Sequence, residues 1–144
     1  MTQEDKKLLL QDLSARLPYG VKAYVKNWSK LDRKYYEGVY TVESIQPSLN
    51  IVLAYSDKSS VEVLIGYDDY VIKPYLIPID MMTEEQKTEL NDTLIQLELK
   101  AINDEIEHHK VAEFEIDFYN KNHIDYRGLI PMGLANDATG LNIY

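Results

Sequence analysis

The first sixteen residues carry a helical pattern. Leu9, Leu13 and Leu17, with Leu10 beside them, recur at spacings of three and four. Thr2 is followed by Gln3, Glu4 and Asp5, which puts acids where a helix N-terminus holds them. This predicts a helix over about 3–16, ended by Pro18 and Gly20. From Val21 the period falls to two, with Val21, Ala23 and Val25 alternating against Lys22, Tyr24 and Lys26 as in a half-buried strand. Further β-rich runs cover 38–45, 50–55, 60–65 and 70–77, separated by short polar turns. The expected fold is therefore α+β, with an N-terminal helix, a small five-stranded antiparallel meander or SH3-like barrel, and C-terminal helices. Pro74 and Pro78 cannot donate to a ladder, which places the last strand at an edge or leads it into a linker.

The period changes again at Thr83. Thr83-Glu84-Glu85-Gln86 is a capping box, so a helix starts here. Leu90, Leu94, Leu97 and Ala101 form one stripe, with Ile95, Leu99, Ile102 and Ile106 beside it. That face is too wide for one contact, so the 83–107 helix is expected to pack on the sheet, on another helix or on a second copy, which makes it a candidate homo-oligomer surface. Asn103-Asp104 or His108-His109 can interrupt it, and Val111, Phe114 and Phe118 restart a helical spacing up to about Asn122. Gly128, Pro131, Gly133 and Gly140 leave the tail mostly irregular. Two parts are expected, 1–80 with the helix and strands and 81–144 with the helices and tail, packed as one unit.

Charge sharpens this division. Residues 1–38 carry eight Lys or Arg against five Asp or Glu, 39–80 two against six, and 81–144 five against thirteen, within a net charge of -9. The acidity belongs to the C-terminal half, and the N-terminal quarter is basic. A net excess of acid disfavours nucleic acid and anionic membrane as partners. The longest apolar run near the start, Leu8 to Leu10, is far short of a signal-peptide core or a span of about 20 residues, so a cytoplasmic protein without membrane contact is expected.

Catalytic patterns are missing. No cysteine is present, which removes thiolate nucleophiles and thiolate metal sites, and among six glycines there is neither a P-loop nor a dinucleotide fingerprint. No serine stands in a nucleophile elbow. Glu105, His108 and His109 have the spacing of metal ligands on a helix, but without a second copy of the element they read as a solvated helix end. The carboxylate pairs are too many to single out an acid–base couple. No enzyme activity, cofactor or metal is expected.

The candidate partner-binding surface lies in 16–36, where cations interleave with aromatic rings. Strand alternation places Lys22, Tyr24, Lys26 and Trp28 on one face, opposite Val21, Ala23 and Val25. Rings between cations suit an acidic peptide or single-stranded nucleic acid. The competing expectation is that this strip docks on the acidic helices of its own chain. Tyr126 and Arg127, before Gly128, form a second candidate: either an anchor for the tail or a binding tip.

Four stretches, Ala15-Arg16-Leu17-Pro18-Tyr19-Gly20-Val21-Lys22, Lys73-Pro74-Tyr75-Leu76-Ile77-Pro78, Met82-Thr83-Glu84-Glu85 and His123-Ile124-Asp125-Tyr126-Arg127-Gly128-Leu129-Ile130, are similar in content and order to an uncharacterised family of small proteins of gut anaerobic bacteria, often found in phage-like or mobile regions. The resemblance implies no reaction and no catalytic residues. Ile77 departs from the Arg that those proteins tend to have there. The function expected is a non-enzymatic binding or adaptor module of a mobile or phage-like element that contacts a protein partner, the alternative being a nucleic-acid-binding regulator that uses the basic aromatic face.

Overall fold

The computed structural model describes all 144 residues. Helix α1 (Gln3–Arg16) starts at a capping box in which the Thr2 hydroxyl accepts from the Asp5 amide while the Asp5 carboxylate accepts from the Thr2 amide. A 3₁₀ turn over Leu17–Tyr19 ends at Gly20, whose φ of 68° lies in the left-handed region that favours glycine. The strands follow as β1 (Lys22–Ser29), β2 (Lys34–Gln46), β3 (Ile51–Tyr55), β4 (Ser60–Leu64) and β5 (Tyr70–Pro78). Helix α2 (Glu84–Ile102), helix α3 (His109–Lys121) and two short strands, β6 (Ile124–Asp125) and β7 (Asn136–Asp137), complete the chain.

Strands β1 to β4 form an antiparallel meander, and β5 returns to pair antiparallel with β1, giving the order β4-β3-β2-β1-β5-β6. The α+β expectation holds in these elements. The barrel does not form, because β4 and β5 share no ladder and the sheet stays open. Nor is β5 an edge: its second half pairs in parallel with β6 and β7. Pro74 is tolerated because it faces Ala23, whose own N–H and C=O alternate toward β2 rather than β5.

One face of the sheet is covered by α1. Leu9, Leu10 and Leu13 meet Val21, Ala23, Val25, Val42, Val52, Ala54, Val63 and Ile72 in a single buried cluster. A smaller cluster of Leu76, Leu129, Leu134 and Ala135 sits under the tail. The break between the two C-terminal helices falls over 103–108, and α3 packs on α2, α1 and β6. Leu90 and Ala101 are buried on α2, whereas Ile95, Leu99 and Ile102 are 57%, 55% and 71% exposed on its far side. The wide stripe is thus two faces of one helix, and only one of them is used inside the chain. No helix is long and apolar enough to cross a membrane.

Candidate functional site

Register decides what surrounds the basic aromatic strip. On the outer face of the sheet, away from α1, β1 sets Trp28 opposite Tyr35, Lys26 opposite Glu37 and Tyr24 opposite Val39. Directly opposed residues share a face. The Tyr24 hydroxyl donates to the Glu37 carboxylate, and that bond, with lesser contributions from burial and from the carboxylate's charge, pushes the phenol up to about 12. Tyr35 meets the Trp28 ring edge-on, with centroids 4.9 Å apart, and carries the Lys26 ammonium 4.6 Å from its own centroid. On the other face of the same ribbon Lys34 lies 4.8 Å over Tyr36, whose hydroxyl donates to Asp32.

The acidic helices do not cover this strip. Their ion pairs are internal, between Lys87 and Glu84 and between Lys110 and Glu113, and the His109 imidazole lies against Glu107 and Glu113. The bond from Tyr19 to Asp117 links the basic quarter to α3, but no hydrogen bond or ion pair joins Lys22, Tyr24, Lys26 or Trp28 to either helix. Lys26 and Lys34 therefore sit over aromatic rings with no carboxylate within 4 Å.

Lys22 behaves differently, since the tail holds it. Its ammonium donates to the Ile143 carbonyl at 2.9 Å, and its backbone N–H donates to the Tyr144 hydroxyl at 3.0 Å. That hydroxyl in turn donates to the Tyr75 carbonyl at 2.8 Å, filling the position where the β1–β5 ladder would continue beyond the Ala23–Pro74 pair. The Tyr144 ring lies flat on His123, 3.5 Å between centroids and 7° between planes. Burial, helped by the charges of Arg16 and Lys22, lowers the His123 imidazole to about 4, and burial pushes the Tyr144 phenol up to about 12.

Tyr126 and Arg127 belong to a buried polar cluster and not to the strip. Asp12 and Arg16, both fully buried on α1, form a two-pronged ion pair at 2.9 and 3.1 Å. Arg16 also donates to the carbonyls of Tyr119 and Ile124, and the Arg127 Nε lies 3.8 Å from the same Asp12 carboxylate. The two guanidiniums lie 5.4 and 5.1 Å from the Tyr126 ring, which stacks on Tyr119. Asp125 accepts from the amides of Leu129 and Ile130 at 2.8 Å each, closing the turn that Gly128 makes at φ 76°. This cluster ties α1, α3 and the tail together. Both of its carboxylates are occupied, Asp12 by two cations and Asp125 by two backbone amides.

The sequence reading counted Arg16 among the surface cations and overlooked Asp12, His123 and Tyr144. A helical projection sets Arg16 beside Leu9, about 20° away on the flank shared with Asp12. Nothing local marks His123 and Tyr144, which meet across the tail. No three acidic or histidine side chains converge to hold a metal, and His109 spends its imidazole on glutamates. No family model matches the chain, and no curated protein or solved structure matches it either.

Proposed function

We propose that the chain is a non-enzymatic binding module that takes a protein partner on the outer face of its sheet, in the setting of a mobile or phage-like element. The observation that carries this reading is Lys26, held over the Tyr35 ring beside Trp28 on that face and without a carboxylate within ion-pair distance in a chain of net charge -9. A cation left unpaired among that many acids, beside the half-buried Trp28, suits an acidic protein surface. Affinity capture from host lysate with quantitative mass spectrometry should recover a partner with the wild-type chain and lose it with the double variant Lys26→Ala, Trp28→Ala. The same partner captured by both would refute the assignment of this face. A nucleic-acid partner has the Trp28–Tyr35 pair in its favour as a stacking platform; single-stranded binding that weakens steeply with added salt would replace the protein reading.

A further inference from the structure

The ribbon formed by β1 and β2 is longer than the sheet around it. Strand β2 pairs with β3 only from Thr41, which faces Tyr55, and β3 then leaves through the 56–59 turn. Residues 34–40 of β2 pair with β1 on one side and run on with no strand on the other.

The register shows which backbone groups this leaves open. The Val42 amide donates to the Val21 carbonyl, on the β1 side. Alternation then points the N–H and C=O of Tyr40, Gly38 and Tyr36 toward β1, and those of Tyr35, Glu37 and Val39 toward the empty side. The Trp28 amide bonded to the Asp69 carbonyl fixes the same phase on β1. No turn, cap or side-chain hydrogen bond reaches the main chain of Tyr35, Glu37 or Val39. Beside this edge lies a cleft of about 530 Å³ between β2 residues 36–40 and the 56–59 turn. Its position is the one β3 would have taken had it continued. Tyr35 and Val39 are 50% and 43% exposed along it, and Gly38 presents no side chain to an incoming chain.

We propose that β2 residues 35–39 are an acceptor edge on which an extended, acidic segment of a partner protein adds as a further strand. This rests on the protein-binding reading above and specifies how the partner is held. Main-chain bonds to Tyr35, Glu37 and Val39 supply affinity, and side chains on the outer face pack on Tyr35 and Val39. Charge selects the occupant. Residues 22–40 carry five Lys or Arg against Asp32 and Glu37, and both acids already accept from hydroxyls of the same ribbon. The open field there is positive, so an acidic segment is favoured, while a second copy would bring two positive ribbons together.

Amide hydrogen exchange followed by NMR on the full chain tests this, with a capped peptide of alternating valine and glutamate, about seven residues long, as the probe. In the free protein the amides of Tyr35, Glu37 and Val39 should exchange fast while those of Tyr36, Gly38 and Tyr40 are protected. Saturating peptide should slow the first three by about ten-fold or more, and Val39→Pro, which removes an outward N–H, should weaken the peptide by about ten-fold. The wild-type exchange pattern carries the test if that variant does not fold. No added protection at those three amides with millimolar peptide overturns the edge. If the Trp28 ring signals shift nonetheless, the outer face remains the binding surface and only the added strand fails; if neither responds, both readings fail. Protection that rises with protein concentration and without peptide would make a second copy the occupant and overturn the acidic-segment proposal.

Discussion

Asp12 is the residue on which most depends. Two guanidiniums, Arg16 at 2.9 Å and Arg127 at 3.8 Å, share its fully buried carboxylate. Asp12→Asn keeps the shape but leaves a buried cation without its counter-charge, and should destabilise the fold by about 3 to 5 kcal/mol in urea denaturation. A loss below about 1 kcal/mol would show that the pair is solvated in solution. Replacing Asp12 and Arg16 together by Leu and Met should cost less, because the fully buried cation goes with its counter-charge and only Arg127, nearer the surface, loses a partner. His123 makes a pH prediction. Its folded pKa of about 4 lies below the 6.5 of a free imidazole, so between those values the unfolded chain takes up a proton that the folded chain refuses. Stability is complete above about pH 6.5 and falls as pH drops toward 4, by up to about 3 kcal/mol from this group. His123→Phe, which keeps a flat ring under Tyr144, should flatten that slope in denaturation midpoints measured across the window; an unchanged slope would assign it to other groups. Arg16 was legible in principle from its place in the leucine stripe. His123 was not, because the ring that buries it comes from the far end of the tail.

At the level of elements, the sequence marked where helices and strands begin because capping boxes and changes of period are local. Thr83 and Gln86 exchange the expected bonds at 3.0 and 3.1 Å. Their partners in space were harder to read. The apolar positions of α2 looked like one wide stripe, yet Leu90 is buried and Leu99 is more than half exposed. Leu90→Ala should cost about 2 to 5 kcal/mol, whereas Leu99→Ala should stay within about 0.5 kcal/mol. Thermal melts of the two variants distinguish these cases, and equal losses would mean that the outer stripe is covered in solution. Asp92 and Glu98 flank that stripe, so a second copy laid on it meets like charge. The length of β2 was also underestimated: Lys34, Tyr35, Tyr36 and Glu37 break the apolar alternation because their ribbon extends past the core that α1 covers.

Over the whole molecule, charge separation survives folding. The basic ribbon and the acidic helical pair share no ion pair, and the bond from Tyr19, ahead of β1, to Asp117 is a link between the basic quarter and α3. Composition by segment made that polarity visible, since folding did not bring the opposite charges into contact. The topology was not visible, because the return of β5 to β1 and the short parallel strands β6 and β7 depend on contacts far apart in sequence.

The most distant of these contacts bears on the order in which the molecule assembles. Tyr144 meets Lys22 across 122 residues, a closure that brings little reward until β1, β5 and His123 are in place. It should therefore form after the folding barrier has been crossed. Tyr144→Phe keeps the ring on His123 and strips the Lys22 amide and the Tyr75 carbonyl of their partner, at a cost of about 1 to 3 kcal/mol. In stopped-flow measurements that cost should appear in the unfolding rate, about 5- to 150-fold faster, with the refolding rate hardly changed. A slowed refolding rate would place the tail in the nucleus instead. With refolding unchanged and only unfolding accelerated, Tyr144 acts as a latch, setting how long the native state lasts and leaving the speed of its formation alone.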